Sequence, residues 1–183
     1  MTTFALVTTI AGIIVLAVFI SISIRRFGMQ PSYSDFSPCW DEAVPIRSMH
    51  LWSIVTFVVA ALFMPALIEL GEGNPLQFLG FFAPMYLIVV ALFPLTALPA
   101  DASDDERKKW KRKKVNHTIG AALSSAATVS WILFVCRLWW VCLLALALVA
   151  AAAFATRTER SSLVFWLEMA LFTAGPTAAL IML

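Results

Sequence analysis

The chain has 183 residues, of which 61% are hydrophobic and 13% charged, and its mean hydropathy is +0.89. A soluble domain carries about 25% charged residues, and one of this length could not hide so much apolar surface. The composition therefore excludes a soluble globular protein and calls for an all-α, polytopic transmembrane bundle forming a single domain over residues 1–183. The net charge of +2 excludes little by itself, because the charges are clustered.

Six helices are expected, each near the length of about 20 apolar residues that crosses a hydrocarbon core of about 30 Å. The first covers about 3–24. No basic residue precedes it and Arg25-Arg26 follow it, the charge order of an uncleaved first helix with its N-terminus outside. The loop after it, 25–47, is neither highly charged nor of low complexity. Phe27, Tyr33, Phe36 and Trp40 can anchor it, Pro31, Pro38 and Pro45 stiffen it, and Ser32, Ser34, Asp35 and Ser37 can bond to nearby backbone. Such a loop is expected to pack over the mouth of the bundle, and loops often carry function.

The second helix is expected over about 48–70, with His50 near its start, and the third over about 76–98. Between the third and fourth lie seven basic residues, Arg107, Lys108, Lys109, Lys111, Arg112, Lys113 and Lys114. They read first as a topology determinant and then as a contact for anionic lipid headgroups at the cytoplasmic face. Nucleic acid is not the expected partner, because Asp101, Asp104, Asp105 and Glu106 dilute the field and Trp110 alone interleaves the run.

The fourth helix, about 115–136, carries Asn116, Gly120, Ser124 and Thr128 four residues apart, flanked by Ala121 and Ser125. This small-residue face allows close helix packing and is expected to turn Asn116 and His117 toward other helices. Arg137-Leu138-Trp139-Trp140 suits a water–lipid boundary, so a tight turn is expected there, before a fifth helix over about 138–156. The sixth is expected over about 161–183, with Glu168 roughly 10 Å deep at 1.5 Å per residue. A carboxylate at that depth is a candidate functional group and should face the interior. Pro65, Pro84, Pro94 and Pro176 fall within expected spans and can bend them.

Twelve of the 13 Lys and Arg residues fall in the first, third and fifth loops. The positive-inside rule then puts those loops in the cytoplasm and both termini outside. The candidate polar residues converge on the same side. His50 and His117 begin the second and fourth helices, and Asp35, Asp41 and Glu42 lie in the first loop. With Glu168 they could form a polar funnel open to the cytoplasm. Cys39 and the two histidines are the residue types a transition metal would use, although their spacing matches no known metal signature and no cofactor is expected. Packed interfacial histidines explain the same pattern. Cys136 and Cys142 lie in apolar surroundings and read as inert packing residues.

Phe27-Gly28-Met29-Gln30-Pro31-Ser32-Tyr33-Ser34-Asp35 after one span, followed later by Val115-Asn116-His117-Thr118-Ile119-Gly120-Ala121, resembles a family of small uncharacterised six-helix bacterial integral membrane proteins. The resemblance covers about residues 1–135 and implies an inner-membrane location, with no known activity and no catalytic residues to carry over. The expected function is that of a non-enzymatic accessory or interaction protein, with a membrane protein partner or a second copy of itself. The alternative is a small transporter or channel with a path through Glu168, His50 and His117. A lipid-acting enzyme using a histidine as base is a third reading.

Overall fold

The computed structural model describes residues 2–44, 50–96, 98–155 and 160–182. Every regular element among them is helical. In chain order these are α1 (Thr3–Phe27), a 3-10 turn (Tyr33–Asp35), α2 (Phe36–Ala43), α3 (Leu51–Leu70), α4 (Phe78–Leu92), α5 (Asp104–Ser130) with a π-helical extension (Trp131–Val135), α6 (Trp139–Ala155) and α7 (Arg160–Ile181). Pro45, Arg47 and Arg157 lie outside the described residues.

The helix ends follow local chemistry. The Thr2 hydroxyl accepts from the Ala5 N–H at the start of α1, and Gly28, at φ 75°, stops it in a conformation that glycine adopts freely. Ser103 and Glu106 form a reciprocal capping box, and three acidic residues fill the first turn of α5. That cap corrects the expected start of the fourth helix. The basic run is not a loop but the opening turns of α5, which begins at Asp104 rather than near 115. The expected third helix is shortened, because Pro94 lacks an N–H and disfavours helical geometry at Phe93. Phe93 takes φ −117°, ψ 61°, and α4 ends at Leu92 with Pro94 beyond it.

Among the described residues, four helices are long and apolar enough to cross a membrane: α1, α3, α5 with its π extension, and α7. The expected third and fifth spans are shorter, with 15 residues in α4 and 17 in α6. These reach only roughly 22 and 26 Å at 1.5 Å per residue. The tight turn at the fourth-to-fifth junction is present. The Cys136 N–H bonds to the Trp131 carbonyl, five residues back, and Arg137 reverses the chain at φ 57°.

Neighbouring helices run in alternate directions. Thr2 meets Glu69, placing the start of α1 beside the end of α3. A Cβ on Gly80 would lie 2.2 Å from the Leu67 carbonyl, so the end of α3 presses on the start of α4. The Ser124 hydroxyl donates to the Ala83 carbonyl, 2.8 Å away, tying α5 along α4. One buried cluster, built around Ala5, Ala66, Trp131, Ala178 and Ala179, fills the end where both termini lie. A second, built around Phe19, Tyr33, Trp40, Trp52 and Phe165, fills the opposite end. The site lies in this second cluster.

Candidate functional site

The segment 28–44 turns back into the bundle instead of running over it. Ser32 starts the 3-10 turn by accepting from the Asp35 N–H at 3.3 Å and donating to the Asp35 carboxylate at 2.8 Å. Tyr33, Ser34, Phe36, Ser37 and Trp40 are all buried. Behind them, Ser23 on α1 accepts from the Trp40 indole at 2.8 Å and gives its own proton to the Phe19 carbonyl at 2.7 Å. The turn is thereby held as a plug in the end of the bundle.

Two long-range contacts fasten the plug. The Tyr33 backbone N–H donates to a Glu168 carboxylate oxygen on α7 at 2.6 Å, and the Phe165 N–H on the same helix donates to the Pro31 carbonyl at 3.1 Å. On the other side, Ser34 Oγ lies 2.8 Å from His117 Nε2, and His117 Nδ1 lies 2.9 Å from the Phe93 carbonyl. That carbonyl can only accept, so Nδ1 carries a proton. In the neutral ring Nε2 is then the acceptor for the Ser34 hydroxyl. The His117 ring also lies 6.1 Å from that of Trp52.

The Tyr33 side chain completes the fastening. Thr56 spends its hydroxyl proton on the Trp52 carbonyl at 2.8 Å, so the Tyr33 phenol is the donor in their 3.0 Å contact. The Trp52 indole in turn donates to the Tyr33 carbonyl at 3.1 Å. Burial pushes the phenol well above its ordinary range, and the Glu168 charge acts in the same direction, so it remains a donor.

His50 belongs to a separate contact. It is the residue before α3 and not part of the helix, and its Nδ1 lies 2.6 Å from an Asp41 carboxylate oxygen on α2. Both side chains are partly exposed. Glu42 is exposed. Cys39 bonds weakly to the Asp35 carbonyl at 3.5 Å. Burial first, and the charges of Asp35 and Glu42 next, push its thiol up, away from the thiolate that a metal would need. Among the described residues no group of three His, Cys, Asp or Glu side chains is placed to hold a metal ion.

Asn116 corrects a sequence expectation. It is exposed, and the buried face of α5 runs through His117, Gly120, Ser124 and Ala127. Between Glu168 and His117 stand Tyr33 and Ser34, one bonded to each. The basic residues differ from one another. Arg107 donates to the Ala102 and Ala100 carbonyls, and Lys114 lies 5.0 Å over the Trp110 ring. The Trp110 indole anchors this part of α5 to the Thr96 carbonyl at 2.8 Å. Lys109, Lys111, Arg112 and Lys113 are exposed. Tyr33 and Ser34 were legible only as loop anchors. A serine-rich turn bracketed by prolines is the signal that marks them. Compared with known protein families, curated proteins and solved structures, the chain matches none.

Proposed function

We propose that the chain is a multi-pass protein of a bacterial inner membrane with a non-enzymatic accessory or interaction role. Its six apolar helices would cross the membrane, with the plug and the basic run on the cytoplasmic side and both termini outside. The alternating helix directions and the distribution of Lys and Arg support that arrangement. The observation that carries the functional reading is the double attachment of the 3-10 turn, with Glu168 on one side and His117 on the other. Both polar groups are committed to intramolecular partners. A side chain already satisfied and sealed behind aromatic rings serves to fix structure, which suits a scaffold that presents its surface to a partner. The exposed lysines and arginines of α5 would rest on anionic headgroups.

A second reading is a gated path. It is favoured by the Ser37 and Ser53 hydroxyls, which are buried without hydrogen-bond partners among the described residues, next to a plug whose withdrawal would expose Glu168 and His117. Reconstitution separates the two readings. Proteoliposomes carrying an imposed pH gradient should show no protein-dependent proton or cation flux under the accessory reading. Flux that disappears in Glu168→Gln would transfer the assignment to a transporter. Reporter fusions at the C-terminus test the topology, for which the expected location is outside the cytoplasm.

A further inference from the structure

Away from the plug, α6 packs against α7 and stands off α1. The three helices line an elongated, half-open cavity of about 510 Å3. Its walls are Ile13 and Ile20 from α1, Leu144 and Leu148 from α6, and Trp166 and Met169 from α7, among other apolar side chains. One of its threonines, Thr173, already spends its hydroxyl on the Met169 carbonyl at 2.8 Å. The cavity runs along α1 from Ile13 to Ile24, roughly 16 Å at 1.5 Å per residue.

Those dimensions select the occupant. A transmembrane helix is about 10–12 Å across with its side chains and could seat only part of its girth here. An alkyl chain is one carbon wide and fits between the three walls at ordinary contact distances of about 3.5–4.0 Å. Two polar features lie at the same end of the cavity. Among the described residues the Trp166 indole N–H is buried without a hydrogen-bond partner, whereas the buried indoles of Trp40, Trp52 and Trp131 are all satisfied. Arg25, one residue beyond Ile24, is exposed. Arg26 is instead held over the Phe27 and Trp40 rings, 5.6 and 5.5 Å from their centroids.

We infer that this cavity is a binding slot for one acyl chain of an anionic phospholipid, with the Trp166 indole donating to an ester or headgroup oxygen and Arg25 facing the headgroup charge. The cavity is separate from the bonds at Glu168 and His117, and it meets the plug at Phe165, whose N–H donates to the Pro31 carbonyl and whose ring packs against Phe36. An indole at the polar boundary with a basic residue next to it is the arrangement that recognises a lipid by both its chain and its head.

Native mass spectrometry of the detergent-purified chain tests the slot, using phosphatidylglycerol and phosphatidylcholine with identical acyl chains as probes. The expected result is one retained phosphatidylglycerol per chain, at a concentration at least tenfold below that needed for phosphatidylcholine. Arg25→Gln should remove most of that preference, and Ala145→Trp, which fills the slot, should abolish retention of both lipids. Equal retention of the two lipids by the wild type, or undiminished retention by a folded Ala145→Trp protein, overturns the proposal. So does a dimer in place of a lipid adduct, which would assign the face to a second copy. A phosphatidylglycerol with a photoreactive group in mid-chain tests the wild type without any variant. Labelling should concentrate on Ile13, Ala17, Ile20 and Ile24 of α1 and on Trp166, Met169 and Thr173 of α7. Equal labelling of the outer α1 face at Val7, Ile14 and Val18 would mean an ordinary lipid-facing surface.

Discussion

Glu168 and the backbone N–H of Tyr33 are 135 residues apart in sequence and 2.6 Å apart in space. The bond tests whether the carboxylate serves structure. Glu168→Leu removes the acceptor and leaves a buried N–H unsatisfied, a loss of about 1–3 kcal/mol. Glu168→Gln keeps a carbonyl oxygen of the same reach and should cost less than half as much. Thermal unfolding in detergent reads both, and limited proteolysis within 28–44 should speed up in the leucine variant alone. Equal stability of the wild type and both variants would detach Glu168 from the plug.

The Ser34–His117 contact is expected to couple the plug to α5. A double-mutant cycle over Ser34→Ala and His117→Ala should give an interaction energy of about 0.5–3 kcal/mol, because either single change leaves the other partner buried and unpaired. Asn116→Ala, one residue away and exposed, should fall within about 0.5 kcal/mol of the wild type. Additivity in the cycle would mean that the two groups do not stabilise each other.

That pair also shows how much the sequence disclosed. The helical class and the turn at Arg137 were legible, because hydropathy and aromatic–basic clustering are local signals, whereas the segment 28–44, expected over the mouth of the bundle, packs into it. The register of α5 was not. Asn116, Gly120, Ser124 and Thr128 mark a strict four-residue row, and such a row winds about 40° around the helix at each step, since a full turn takes 3.6 residues. Contact with a neighbouring helix follows alternating steps of three and four, and His117, Gly120, Ser124, Ala127 and Trp131 fit that stripe. The partners of Glu168 and His117 were equally hidden. A backbone N–H has no sequence signature, and a 3-10 turn of three residues leaves no periodicity to read.

The helical basic run makes its own prediction. Ser103→Ala removes the cap of α5 and should cost about 1 kcal/mol of local helix stability. The loss should be confined to the exposed turns, because beyond Trp110 the next hydrogen bond from α5 to another element, among the described residues, is at His117. Hydrogen exchange should rise for amides 104–112, and the unfolding midpoint of the bundle should stay unchanged. A rise in exchange that extended past Gly120 would show that the cap and the bundle unfold together.

Gly80 is expected to be the least replaceable glycine. A Cβ there would lie 2.2 Å from the Leu67 carbonyl oxygen and 2.7 Å from its carbon. Both are backbone atoms and cannot swing aside. The same carbonyl accepts from the Trp131 indole at 3.1 Å, so moving α3 away from α4 also breaks the bond that holds the π-helical end of α5. Overpacking of this kind costs about 1–3 kcal/mol, and loss of the indole bond adds about 1 kcal/mol. Gly80→Ala should therefore lower the unfolding midpoint, and Trp131→Phe should lower it as well, because it loses the bond and part of a fully buried ring. Gly73→Asn is the control. Its φ of 79° suits asparagine better than most residues and nothing lies within 4 Å of its Cβ position, so its midpoint should match the wild type. A Gly80→Ala protein as stable as the Gly73→Asn protein would mean that α3 and α4 do not touch at this point.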